Sequence, residues 1–291
     1  MPDPGLAGRL REYGRLMRVD RPIGTYLLLW PALWALWLSS AGHPDPVVLL
    51  VFVAGVFLMR SAGCVINDYA DRHFDGHVAR TRDRPLARGA VTPREALVLF
   101  AVLCALAFAL VLLLNPLTVA MSLVAVLLAA IYPYFKRITH LPQLVLGLAF
   151  SWSIPMAYTA HTDALPPFEA WLLYGAAVMW TVAYDTMYAM VDRVDDVRIG
   201  IKSTAVLFGG MDRLIIGVLQ AMVLVLLGIV GQLHQLGAWY YAGLVVAAGL
   251  AIREQAMIRH REPARCFAAF LHNSWFGAAV FGGIFLHYLL A

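Results

Sequence analysis

Lysine is nearly missing from this chain: Lys136 and Lys202 are the only two among 22 basic residues. Charge of either sign is scarce, at 14% of 291 residues against 61% hydrophobic ones, and the mean hydropathy is +0.73. That balance excludes a large soluble core and indicates a membrane protein. Cysteine is scarce too. Cys64, Cys104 and Cys266 are odd in number and lie in or beside apolar runs, which excludes a disulfide framework and a zinc-type spacing. No basic groove with interleaved aromatics stands outside those runs, so the net charge of +4 makes no case for nucleic acid. A convincing Ser-His or Cys-His nucleophile pair is also absent.

What the chain has in quantity is long apolar runs. Crossing about 30 Å of hydrocarbon takes roughly 20 such residues. Nine spans are predicted: Ile23–Ser40, Val47–Val65, Ala96–Leu114, Leu117–Phe135, Leu141–Ala160, Phe168–Tyr184, Leu214–Leu233, Ala238–Ile252 and Cys266–Leu290. The basic residues then sort onto one side, with Arg60 closing span two, while the loops near His43, Asn115, His161 and His234 carry none. The positive-inside rule makes the basic side cytoplasmic, with the N-terminus inside and the C-terminus outside. The first run follows an Arg-rich leader, but its length and three tryptophans favour a retained span over a cleaved signal. Leu6, Leu10, Tyr13 and Met17 form a stripe opposite Arg11, Arg15 and Arg18, which predicts an amphipathic helix lying on the inner leaflet. Pro31 and Pro155 are expected to kink spans one and five. Six tryptophans (Trp30, Trp34, Trp37, Trp152, Trp171 and Trp180) read mostly as an interfacial belt. The expectation is an all-α polytopic protein, a single domain over 1–291, with a four-plus-four repeat of spans and a ninth closing helix.

Two acidic clusters break this apolar pattern, one after span two and one after span six. Asn67, Asp68, Asp71 and Asp75 fall within an arc of about 100° on a helical wheel. Asp185, Asp192 and Asp196 fall within about 20° of one line, with Asp195 beside them. Like charges about 4 Å apart repel by up to about 4 kcal/mol at an effective dielectric of 20. Such a group needs a divalent cation, and hard oxygen ligands suit magnesium. A solvated loop is the plainer alternative, and Asp83, Asp212 and Glu254 are assigned to it. It suits Asp68, Asp71 and Asp75 poorly, because they continue an apolar helix.

Cations suited to phosphate oxygens surround the acids. Arg80 and Arg84 follow the first cluster, Arg198 and Lys202 the second, and Lys136 and Arg137 lie between. Tyr188, one turn from Asp185 and from Asp192, is a candidate donor to a phosphate oxygen, with interfacial packing as the alternative.

Asn67–Asp75 with its continuation through Leu86 strongly resembles the first motif of the UbiA superfamily of intramembrane prenyltransferases, and Asp185–Thr204 looks like its second. Together with Arg18–Thr25, the segments look most like members that prenylate 4-hydroxybenzoate. The resemblance implies nine transmembrane helices around a central cavity, capped by the cytoplasmic loops and set in a bacterial inner membrane. It implies Mg2+ between the motifs, held by Asn67, Asp68, Asp71, Asp75, Asp192 and Asp196, with Asp71, Asp75, Asp192 and Asp196 catalytic. Asp185 and Tyr188, with Arg80, Arg84, Lys136, Arg137, Arg198 and Lys202, are expected at the substrates. The implied reaction joins a polyprenyl group from polyprenyl diphosphate to 4-hydroxybenzoate, as in ubiquinone biosynthesis, and Asp192 is a candidate to polarise the phenol.

Two rivals remain. Asp75, Gly76, Ala79, Arg80 and Gly89 fit part of the CDP-alcohol phosphotransferase pattern, which then fails where Arg72, Pro93 and Leu97 stand. A divalent-cation or proton-coupled transporter would also use intramembrane acids, but such sites usually lie near the bilayer midplane.

Overall fold

The computed structural model describes residues 5–73, 75–77 and 81–290, and every regular element among them is helical. In chain order the helices are α1 (Gly5–Leu16), α2 (Ile23–Ser39), α3 (Pro46–Asp71), α4 (Pro93–Val111), α5 (Pro116–Ile131) and α6 (Pro142–Ser151). They continue as α7 (Ser153–Thr162), α8 (Phe168–Ile199), α9 (Thr204–Phe208), α10 (Asp212–Leu233), α11 (Ala238–Met257) and α12 (Pro263–Leu290). Each predicted span coincides with helix. Among the described residues six helical stretches, those built on α3, α4, α5, α10, α11 and α12, are long and apolar enough to cross a membrane.

Local chemistry sets the starts. Proline stands at the beginning of α3, α4 and α5, where its missing N–H costs nothing. The residue before it caps the helix: Asp45 accepts from Val47 N at 2.7 Å, Thr92 and Glu95 form a capping box, and Asn115 accepts from Thr118 N at 2.9 Å.

Span five is broken. Pro155 cannot donate to the carbonyl of Ser151 and its ring crowds that carbonyl, and the helix stops at Ser151 and restarts at Ser153. Pro31, by contrast, sits inside an uninterrupted α2.

The belt reading fails for two tryptophans. Trp34 and Trp180 are buried at the centre of the bundle with ring centroids 5.3 Å apart, and Trp180 stacks on Phe276 at 5.6 Å. Their indole N–H groups are satisfied inside, Trp34 on Gly277 O (3.0 Å) and Trp180 on Asn273 Oδ1 (3.1 Å). Nor does α1 rest on a lipid surface alone. Leu16 is fully buried against Ala62, Val65 and Leu86, Arg9 and Tyr13 hold Glu95, and Glu12 pairs with Arg88. The helix is clamped to α3 and to the start of α4.

Asp212 and Glu254, expected in solvated loops, are both wholly buried. Asp212 receives Arg193 from α8 and Arg261 from the turn before α12. Glu254 on α11 accepts from Gln220 of α10 at 2.9 Å and lies 3.1 Å from His272 Nδ1 of α12. Their spacing hid this, because the partners come from helices far away in sequence.

α11 and α12 approach most closely at Gly243 and Gly283. A Cβ on Gly243 would stand 2.8 Å from both Ala279 O and Gly283 Cα, which are backbone atoms and cannot yield cheaply. Gly243→Val is therefore expected to cost about 1–3 kcal/mol, the usual scale of overpacking. The check is a lowered midpoint of heat unfolding in detergent.

Candidate functional site

The first acidic motif sits where α3 ends. Asn67, Asp68 and Asp71 lie on its last turns, but the helix stops at Asp71 and Asp75 opens a separate turn of 3-10 helix, Asp75–His77. The single arc expected for all four is thus interrupted. Local electrostatics accounts for the stop: Arg72 folds back to donate to Tyr69 O (2.7 Å) and Arg137 donates to Ala70 O, so two carbonyls at the helix end are taken by cations.

Asp68, Asp71 and Asp75 are nonetheless all buried, at 1%, 3% and 6% exposure, a cost offset only by opposite charge. Arg18 Nη2 reaches both oxygens of Asp68, at 2.8 and 2.9 Å. Arg84 Nη1 lies 3.0 Å from Asp68 Oδ1 and 2.9 Å from Asp75 Oδ2. Lys136 pairs with Asp71 Oδ2, and Arg137 stands 3.6 Å from Asp71 Oδ1. Burial raises the Asp75 carboxyl above its usual range; Arg84 opposes this, and the charges of Asp71 and Asp68 add to it. Burial alone would depress Arg84, but Asp68 and Asp75 outweigh it and keep the guanidinium firmly charged.

The second motif is on one continuous helix, as its spacing predicts: Asp185, Tyr188, Asp192, Asp195 and Asp196 all belong to α8. Asp185, Asp192 and Asp196 are half-buried. Gly200, at φ +73°, ends α8 in the left-handed conformation that favours glycine. The chain then turns back so that Lys202 N donates to Lys136 O and Lys202 Nζ donates to Ile138 O, both at 3.1 Å. The 3-10 turn Tyr132–Arg137 therefore joins the motifs, holding Asp71 through Lys136 and the end of the second motif through Lys202. Tyr132 lies within electrostatic range of both Asp71 and Asp185, and Arg84 within range of Tyr188. Tyr188 packs on Phe270 at 4.7 Å between ring centroids. Arg198 is 74% exposed with Asp195 4.0 Å away, at the solvent end of α8. Arg80 lies outside the described residues.

A cavity of about 460 Å³ opens beneath this turn, walled by α2 to α7. Leu28, Phe52, Val56, Phe108, Val126 and Met156 give it an apolar lining, and Gly63 and Tyr132 mark the end nearest the acids. Arg60 projects into it. Sequence reasoning read that arginine as the close of span two, yet α3 continues through it to Asp71, about 16 Å further along the axis. It donates to Cys64 Sγ, lies within electrostatic range of Tyr132, Tyr184 and Tyr188, and Gly24 leaves the space its guanidinium fills. The signal was available. Arg60 precedes Asn67 by seven residues, two helical turns, and so shares its face.

Among the described residues no three carboxylate, imidazole or thiol side chains converge closely enough to hold a metal ion as they stand. The donor set still suits a hard divalent cation, being all oxygen. Asp71 Oδ1 in addition is buried without a hydrogen bond, the kind of atom an ion would satisfy.

A sequence model of the UbiA prenyltransferase family matches residues 28–278. Among characterised relatives, the chain is 62% identical over 278 residues to the 4-hydroxybenzoate octaprenyltransferase of Aeromonas salmonicida, covering 96% of each chain. It is 60% identical over 283 residues to the enzyme of the same name from Nitrosococcus oceani, covering 97% of this chain and 99% of that one. Among solved structures, an apo UbiA homolog from Aeropyrum pernix superposes with a TM-score of 0.80 at 28% identity, over 90% of this chain and 97% of that one. A UbiA homolog from Archaeoglobus fulgidus bound to GPP and Mg2+ shares the fold, with a TM-score of 0.68 at 20% identity over 94% of this chain and 99% of that one.

Replacing Asp212 by alanine removes the shared anchor of Arg193 and Arg261 beside the second motif. The expected cost is about 1–3 kcal/mol, read as a lower unfolding midpoint, with Asp212→Asn recovering part of it.

Proposed function

The chain belongs to the UbiA prenyltransferase family, and on that premise we propose that it transfers a polyprenyl group from polyprenyl diphosphate to 4-hydroxybenzoate. The prenyl C1 is bonded to the ring carbon ortho to the phenol, the allylic C–O bond breaks, and its electron pair leaves with diphosphate. The ring then loses a proton and regains aromaticity. The accompanying architecture is nine membrane spans around the cavity with a cytoplasmic cap. The N-terminus is inside and the C-terminus outside, in a bacterial inner membrane. Nearly all of the 22 basic residues lie at one side, which supports that topology.

One observation carries the reading. The acidic end of α3 and the second-motif segment are stitched to one turn, at the mouth of an apolar cavity. A prenyl diphosphate has the matching polarity, with a water-shy tail and a strongly anionic head. Mg2+ at this site would neutralise the departing diphosphate as a Lewis acid. Asn67, Asp71 and Asp75 on one side and Asp192 and Asp196 on the other are the oxygens proposed to hold it.

The remaining roles fall to the chain's own residues. Arg84, Lys136 and Arg137, already drawn to the carboxylates, supply positive charge where the diphosphate develops its negative charge, and Arg80 and Lys202 flank them in sequence or space. The apolar wall keeps water from the electron-poor prenyl carbon. Asp192 is the candidate to polarise the phenol. Arg60 is assigned to the acceptor carboxylate, as a half-buried cation that pairs with no carboxylate among the described residues, two turns below Asn67 on the same face. The ring would then lie between Arg60 and the diphosphate, its ortho carbon held against the prenyl group.

Purified protein given Mg2+, a polyprenyl diphosphate and 4-hydroxybenzoate is expected to form the prenylated acid, and chelation to stop it. Absence of product alongside metal flux in liposomes would indicate a transporter instead. Asp71→Asn and Asp192→Asn should each lower turnover about a hundredfold or more while the protein still folds, which a retained unfolding transition in detergent checks. Arg60→Ala should raise KM for 4-hydroxybenzoate about ten- to hundredfold, as expected for a lost charged hydrogen bond, and leave KM for the diphosphate nearly alone. Equal effects on both substrates would remove Arg60 from the acceptor site.

A further inference from the structure

Among the described residues, Asp68 is the one carboxylate of the first motif that accepts hydrogen bonds at both oxygens. Arg18 Nη2 sits 2.9 Å from Oδ1 and 2.8 Å from Oδ2, and Arg84 Nη1 adds a contact of 3.0 Å to Oδ1. Asp71, one helical turn further on, differs: its Oδ1 has no hydrogen bond. The wheel explains the contrast. Asp71 lies about 40° from Asn67, whereas Asp68 lies about 100° away and faces the segment that follows α1.

Resting on the prenyl-transfer reading, we propose that Asp68 is a positioning residue. Its carboxylate fixes the guanidinium groups of Arg18 and Arg84 for the diphosphate and does not itself hold the metal.

Both arginines are held from their other ends as well. Arg18 takes a left-handed backbone conformation at φ +58°, which non-glycine residues adopt only when their surroundings impose it. That turn reverses the chain after α1, and Arg18 Nη1 donates to Arg15 O at 2.9 Å. α1 in turn is pinned through Arg9 and Tyr13 to Glu95 and through Glu12 to Arg88. Arg84 also contacts Asp75 and lies within electrostatic range of Tyr188 on α8. Asp68 thus binds one guanidinium delivered by the N-terminal segment and one delivered by the loop before α4. With Lys136 and Arg137, four cations among the described residues meet the three buried carboxylates of this motif, so guanidinium and ammonium groups stand ready on its side of the site for an anion.

A metal ligand and a positioning residue differ in what their loss does to metal binding alone. The full-length protein in detergent is titrated with Mn2+, free Mn2+ being read by electron paramagnetic resonance, first alone and then with inorganic pyrophosphate. Asp71→Asn is expected to weaken Mn2+ binding about tenfold or more. Asp68→Asn is expected to change it by less than about threefold, the scale of a surface substitution. In turnover, Asp68→Asn should raise KM for the polyprenyl diphosphate about tenfold with kcat changed far less. Arg18→Ala should do the same, and the double variant should lose no more than either single one. Mn2+ binding lost in Asp68→Asn as fully as in Asp71→Asn would overturn the proposal, as would additive effects of the two substitutions on KM. If Asp68→Asn does not fold, Arg18→Ala decides: unchanged Mn2+ binding with weakened pyrophosphate binding supports the proposal, and unchanged pyrophosphate binding overturns it. A wild-type protein that binds Mn2+ and pyrophosphate yet prenylates nothing would instead remove the parent reading.

Discussion

Three buried carboxylates at and just beyond the end of one apolar helix are the constraint around which this molecule is arranged. Asp68, Asp71 and Asp75 lie where solvent cannot screen them, and their compensation comes from three separate stretches of chain. Arg18 arrives from the N-terminal segment, Arg84 from the loop before α4, and Lys136 with Arg137 from the turn after α5. Each pairing fixes a piece of the surface around the motif that has little apolar reason to be where it is. The charges that prepare the site for a diphosphate are therefore also those that fold its surroundings.

The two motifs solve the problem of presenting acids at a membrane boundary differently. On α8 the helix runs unbroken through Asp185, Asp192 and Asp196, and spacing alone aligns them. On α3 the helix ends early and Asp75 is returned by a separate turn through Arg84. The first motif thus depends on tertiary contacts for its geometry and the second mainly on helical periodicity. Lys202 and Lys136, the only lysines in the chain, lie on the connection between them. The scarcity that made them conspicuous in the sequence is matched by their position.

Much of this is legible in the sequence. The apolar runs coincide with the long helices, and the recurring aspartates lie at the ends of α3 and α8 that the turn Tyr132–Arg137 joins. What stayed hidden depended on distant partners. Asp212 and Glu254 have nothing in their flanking sequence to separate them from loop acids, because Arg193, Arg261, Gln220 and His272 reach them from other helices. Trp34 and Trp180 resemble interfacial tryptophans until the small residues and amides that admit them to the centre are known. Arg60 was misread for a different reason: a rule about loops was applied to a residue within a helix, although its two-turn spacing from Asn67 was in view.

The hydrogen bonds of Glu254 have a mechanical consequence. Three helices of the C-terminal part, α10, α11 and α12, are joined at one depth by Gln220, Glu254 and His272, so none can slide or rotate without breaking a buried polar contact. Elsewhere α4 and α5 bury few of their residues, and α5 is tied to α7 near its start, where Thr118 meets Thr159 at 3.0 Å. The cavity is bordered by these less buried helices and not by the three that Glu254 ties together.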